Sequence, residues 1–140
     1  MSDARRRRSL ALIERLARDR AHAAARERAA LEADHARLCA EREAVLASLV
    51  DRPALPEAAA APYLAGWIRS VSGHADHLAQ DAARLQTEIG AAARRVAEGF
   101  REAETYGYLT GRLDAEAAAR ERKAELEALS PYLTKAPGAS

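Results

Sequence analysis

β-Branched and aromatic residues are scarce: in 140 residues there are seven Val and Ile together, one Phe, one Trp and four Tyr. Strands favour those types, so an extended sheet is excluded. Cysteine is nearly missing. Cys39 alone cannot make an intrachain disulfide, and the chain has no Cys/His spacing of a structural zinc site. Charge of one sign is missing too: 22 Lys and Arg stand against 21 Asp and Glu, so no basic face runs along the chain and no nucleic-acid partner is expected. No apolar run approaches the roughly 20 residues of a membrane span. The basic start through Arg8 resembles the front of a signal peptide, but Glu14 and Arg15 cut the apolar stretch Leu10-Ala-Leu-Ile13 short. A mature protein of the reducing cytoplasm is expected, peripheral to any membrane and not inserted in it. Neither a Gly-rich phosphate loop nor a nucleophile elbow is present. With Ala supplying more than half of the hydrophobic residues, a thick core around a substrate cleft is not expected either. No catalytic residue, metal site or cofactor is therefore expected, and the chain does not read as an enzyme.

What is abundant is helix-forming material, 37 Ala and 16 Leu. Residues 3–50 contain neither Gly nor Pro, open with Ser2 and Asp3 as candidate N-caps, and end before Pro53. They predict one helix of about 70 Å at 1.5 Å per residue. A hinge is expected at about 51–61, around Pro53 and Pro56. A second helix is expected at about 62–130, of roughly 100 Å, with Pro62 in its first turn and its end before Pro131. Residues 131–140 read as a flexible tail.

The second segment carries the strongest periodicity. Alternating steps of four and three from Leu64 reach Ile68, Val71, Ala75, Leu78, Ala82, Leu85, Ile89, Ala92, Val96, Gly99, Ala103, Tyr106, Thr110, Leu113 and Ala117, with no charged residue among them. That is a coiled-coil seam rather than a single-helix stripe, and its small members require a close partner. The first segment answers with Leu10, Ala17, Ala24, Leu31, Leu38 and Val45, flanked by Ile13, Ala21 and Leu49, with Arg28, His35 and Arg42 at the edge. A short connector makes the pair an all-α antiparallel two-helix coiled-coil hairpin, elongated, with the second helix longer. Folding about residue 56 places Leu38 near His74, Leu31 near Asp81 and Leu10 near Glu102, and leaves about 20 residues of the second helix overhanging. The six glycines inside that helix, at a cost of about 1 kcal/mol each, mean either close packing or a bendable shaft.

Few side chains stand out. His74 and His77 lack a third ligand and read as solvent-facing or register residues. Cys39 reads as a small side chain packed beside Leu38. Arg5, Arg6, Arg7 and Arg8 form the densest charge run; cations are mildly unfavourable at a helix start, so the run is either a solvated terminus or a contact for phosphates or an acidic protein surface. Tyr63 and Trp67, with Ile68 just beyond, hold the only tryptophan at the hinge, where it either caps the coil against Leu46 and Leu49 or contacts a partner. Tyr106, Tyr108 and Leu109 fall where the first helix is expected to run out.

Taken together, the basic start, the stretch Ser9-Leu-Ala-Leu-Ile-Glu-Arg-Leu-Ala-Arg-Asp-Arg20, the Pro-rich hinge, Tyr63-Leu-Ala-Gly-Trp-Ile68 and the late stretch from Leu109 through Leu113 to Leu129 resemble the FliJ family of flagellar export proteins and the related YscO-type injectisome proteins. The resemblance covers nearly the whole chain. It implies a non-enzymatic cytoplasmic stalk of the type III export apparatus, a monomer when isolated. Such a stalk couples a hexameric export ATPase ring to the membrane export gate and can escort export chaperones. The ring end would carry Arg5 to Arg8, Tyr106, Tyr108, Leu109 and Leu113, and the hinge tip, with Tyr63, Trp67 and Ile68, would meet the gate. The competing reading of the same pattern is a homo-oligomeric coiled-coil scaffold or adaptor.

Overall fold

In the computed structural model, which describes residues 2–51 and 57–134, the chain forms two helices, α1 (Asp3–Val50) and α2 (Glu57–Thr134). No strand occurs among the described residues. Ser2 starts α1 as its N-cap: its hydroxyl accepts the Arg5 N–H at 3.3 Å, and its carbonyl accepts the Arg6 N–H at 3.1 Å. Of the expected hinge 51–61, residues 52–56 lie outside the described residues. Its last part is helical, because α2 begins at Glu57, earlier than the expected start near Pro62. At the other end α2 runs through Pro131 to Thr134, past the expected stop at Ser130, so residues 131–134 of the expected tail are helix. Proline has a helix-compatible φ and removes only its own hydrogen bond; near a helix end few carbonyls depend on it.

α1 and α2 pack against each other within two compact units, one of Met1–Ala21 with Ala97–Ser140 and one of His22–Val96. In the first unit Arg7 faces Asp114 at 3.5 Å, Arg20 faces Glu102 at 3.7 Å, and Asp3 pairs with Arg120. In the second, Glu27 faces Arg95 at 3.0 Å. In the first unit facing residue numbers rise on α1 as they fall on α2, so the packing there is antiparallel.

The register differs from a fold-back about residue 56. In the first unit Leu10 lies with Leu109 and Leu113 rather than near Glu102, and Glu102 belongs to Arg20. The cause is side-chain size. A Cβ added to Gly99 would stand 2.8 Å from the Cβ and 3.0 Å from the Cα of Ala21, so only a glycine admits Ala21 this closely. Ala17, Ala21 and Ala103 are almost wholly enclosed beside it. Small residues matched to small residues, not connector length, set where the helices lock. One consequence is a shorter overhang. Asp3 at the start of α1 reaches Arg120, so only residues 121–134 of α2 extend past it, about 20 Å of helix. Tyr106 to Leu113 lie in the paired stretch.

All sixteen positions of the α2 seam, from Leu64 to Ala117, are buried or half-buried. The α1 stripe behaves likewise from Leu10 to Leu49, His35 included, except that Ile13, Arg28 and Arg42 are exposed. Arg28 Nε instead donates to Glu32 at 3.0 Å. Nearer its start, α1 presents Asp3, Arg7 and Glu14 to α2, all half-buried. Thr110 is tolerated in the seam because its hydroxyl donates to the Tyr106 carbonyl at 2.8 Å.

Candidate functional site

The enclosed part of the seam is mostly Ala, with Leu78 and Ile89. No large side chain is wholly enclosed among the described residues. Leu12, Leu16, Tyr63, Tyr108, Leu126, Leu129 and Tyr132 are all exposed.

The first unit also carries a groove. Leu10 of α1 with Leu109 and Leu113 of α2 make an apolar floor; Arg6, Arg112 and Glu116 form the rim, around a volume of about 270 Å³. The helical repeat explains the composition. Leu10 and Leu113 are seam residues seen from the side, whereas Arg6, Leu109 and Glu116 occupy the flanking positions that border the seam. Glu116 accepts from Arg112 Nε at 3.5 Å. Arg6 makes no ion pair among the described residues, and neither do Arg5 and Arg8.

The arginine run is thus divided by the helix. Arg7 turns into the contact with Asp114, where its Nε is buried without a hydrogen-bond partner. Arg5, Arg6 and Arg8 face solvent. Of the residues expected at a ring end, Arg6, Leu109 and Leu113 meet in the groove, Tyr106 is half-buried in the seam, and Tyr108 is 69 % exposed. Beyond them stand Leu126 and Leu129, 63 % and 52 % exposed. Sequence reasoning placed Leu129 only at the end of a stretch and gave Leu126 no role. Their signal was present as an i,i+3 apolar pair amid charges, but it lies off the seam register.

In the second unit Tyr63 is 80 % exposed, while Trp67 and Ile68 are half-buried. Leu46 and Leu49 are half-buried as well. Tyr63 is therefore the fully presented member of the expected hinge-tip cluster. His74 and His77 are both exposed, and no group of three metal-ligating residues occurs among the described residues. Cys39 is half-buried with its sulfur 3.9 Å from the His35 ring nitrogens, packed one helical turn away. No helix among the described residues is long and apolar enough to cross a membrane. No protein-family model, curated protein or solved structure matches the chain.

Proposed function

We propose that the chain is a non-enzymatic docking protein of the type III export kind: a cytoplasmic two-helix stalk that couples an export ATPase ring to a membrane export gate and escorts export chaperones. The supporting observation is where the large apolar residues lie. The enclosed part of the helix contact is mostly Ala, with Leu78 and Ile89, whereas Leu109, Tyr108, Leu126 and Leu129 in one unit and Tyr63 in the other are turned outward. Arg5, Arg6 and Arg8, unpaired beside the groove, suit an acidic protein surface such as the mouth of a ring. The resemblance of the sequence to FliJ and YscO-type proteins supplies the identity of the partners.

The test is reconstitution with the export ATPase encoded in the same genome. Stimulation of ATP hydrolysis by the purified chain, weakened by Leu109→Asp and by a triple Arg5, Arg6 and Arg8→Glu variant, is the expected result. An ATPase that neither binds the chain nor responds to it would refute the export reading.

A further inference from the structure

Over residues 5–16 the side of α1 turned away from α2 gathers arginines around large apolar side chains, and we propose that this face lies on the surface of an anionic lipid bilayer. The inference goes beyond the export reading and does not rest on it.

α2 fixes which side of α1 is free. Asp3 and Arg7 reach across to Arg120 and Asp114, and Ala21 is enclosed against Gly99. At 3.6 residues per turn Leu12 and Leu16 fall on the opposite side, with Ile13 at its edge. Leu12 is 57 % exposed, Leu16 51 % and Ile13 36 %, and no other large apolar residue of α1 is exposed before Val50. Arginines bracket this strip. Arg8 and Arg15 lie along one edge, Arg6 along the other and Arg5 at the N-terminal end; all four are exposed and make no ion pair among the described residues. The neighbouring carboxylates are engaged elsewhere. Asp3 is paired with Arg120, and Glu14 is half-buried, accepts from Arg18 at 2.8 Å and lies against Gly107. The strip ends at Asp19, the first carboxylate on this side of the helix, after about 18 Å.

Charge and shape together select the occupant. Residues 4–18 hold six arginines against one glutamate, whereas the whole chain carries only +1, so the attraction for anions is concentrated here. An apolar strip with arginines on both sides is the pattern of a helix lying in a bilayer interface: the leucines enter the acyl boundary while the arginine stems lie beside them and the guanidinium groups stay among the headgroup phosphates. A nucleic-acid backbone would meet the arginines and leave the leucines in water. The convex face of one helix has no walls to grip a protein side chain, unlike the groove at Leu109, and a bilayer needs none. In the export reading Arg5, Arg6 and Arg8 serve the ring, so ring and lipid would compete for them. Leu12, Leu16 and Arg15 lie outside the groove and belong to the lipid face alone.

Vesicle flotation of the full chain with no ATPase present tests this separately from the export reading. The chain should float with vesicles of phosphatidylcholine and phosphatidylglycerol in equal parts, stay behind with pure phosphatidylcholine, and float less at high salt. Leu12→Gln with Leu16→Gln should weaken binding at least about ten-fold with unchanged helicity, since both positions are exposed and glutamine is a good helix former. Arg15→Gln should weaken it about five-fold, and carries the test should the leucine variant lose helicity. Arg101→Gln removes an equally exposed arginine from the far side of α2 and should change nothing. A parent that fails to float with the anionic vesicles, or floats equally with neutral ones, overturns the proposal. So does binding indifferent to the leucine pair, or weakened as much by Arg101→Gln as by Arg15→Gln. Soluble polyglutamate that binds parent and leucine variant as tightly as the anionic vesicles bind the parent would assign the face to an acidic protein instead.

Discussion

Gly99 and Gly90 look alike in the sequence and differ in what a methyl group would meet. At Gly99 it would press on the backbone of Ala21, whereas at Gly90 there is nothing within 4 Å. Gly99→Ala gains helix propensity of about 1 kcal/mol but forces two helices apart, which costs about 1–3 kcal/mol. Gly90→Ala has only the gain. Thermal unfolding followed by circular dichroism should therefore show a lower midpoint for the first and a higher one for the second. The glycines thus serve different ends, and neither close packing nor flexibility explains all of them. Arg7 poses a related contrast. Its Nε is buried without a partner, and its guanidinium meets Asp114 at 3.5 Å, with about a third of the side chain exposed. Arg7→Met removes the unpaired donor while keeping the stem packed, so stability should stay level or rise slightly. A midpoint lowered by several degrees would show that the ion pair outweighs the buried donor.

The α2 seam could be read from its sequence because Leu, Ile and Val recur along it often enough to fix a register, and the buried positions are those of that register. Leu78→Asp should therefore cost about 3 kcal/mol or more by burying an unpaired charge, since Leu78 is enclosed. Leu85→Asp should cost less, because Leu85 is only half-buried, and Gln80→Asp should be nearly silent at its exposed position. Urea unfolding of the three variants orders them. The pairing of α1 with α2 was less legible. Leucine stripes tolerate a slip of one heptad, and the fact that breaks the tie is the enclosure of Ala21 against Gly99, a packing property that no periodicity carries. From that slip follow the misplaced overhang and the expectation that Tyr106 to Leu113 would be free of α1. The groove was half legible: Arg6, Leu109 and Leu113 could be named from the sequence, but Leu10 had been assigned wholly to the seam.

For the whole molecule, the proposed export role would require separate surfaces for a ring and a gate. The two candidate clusters belong to different compact units, with Tyr63 and Trp67 in one and the groove with residues 121–134 in the other. Their functions should accordingly be separable. The informative truncation falls after Arg120, since removing residues from Glu104 onward would also strip the partners of Arg7 and Asp3. Cut after Arg120, the chain keeps its paired helices and should retain most of its helicity while losing the binding to the ATPase ring that the export proposal requires. Tyr63→Ala with Trp67→Ala should do the reverse, weakening gate binding by about 2 kcal/mol or more if Trp67 is an anchor and leaving ring binding unchanged. Isothermal titration against each partner, with helicity measured on the same samples, separates these outcomes. If both well-folded variants bound ring and gate like the parent, the division of labour between the units would be wrong. A self-associating scaffold would then account for the exposed leucines with no export partner at all.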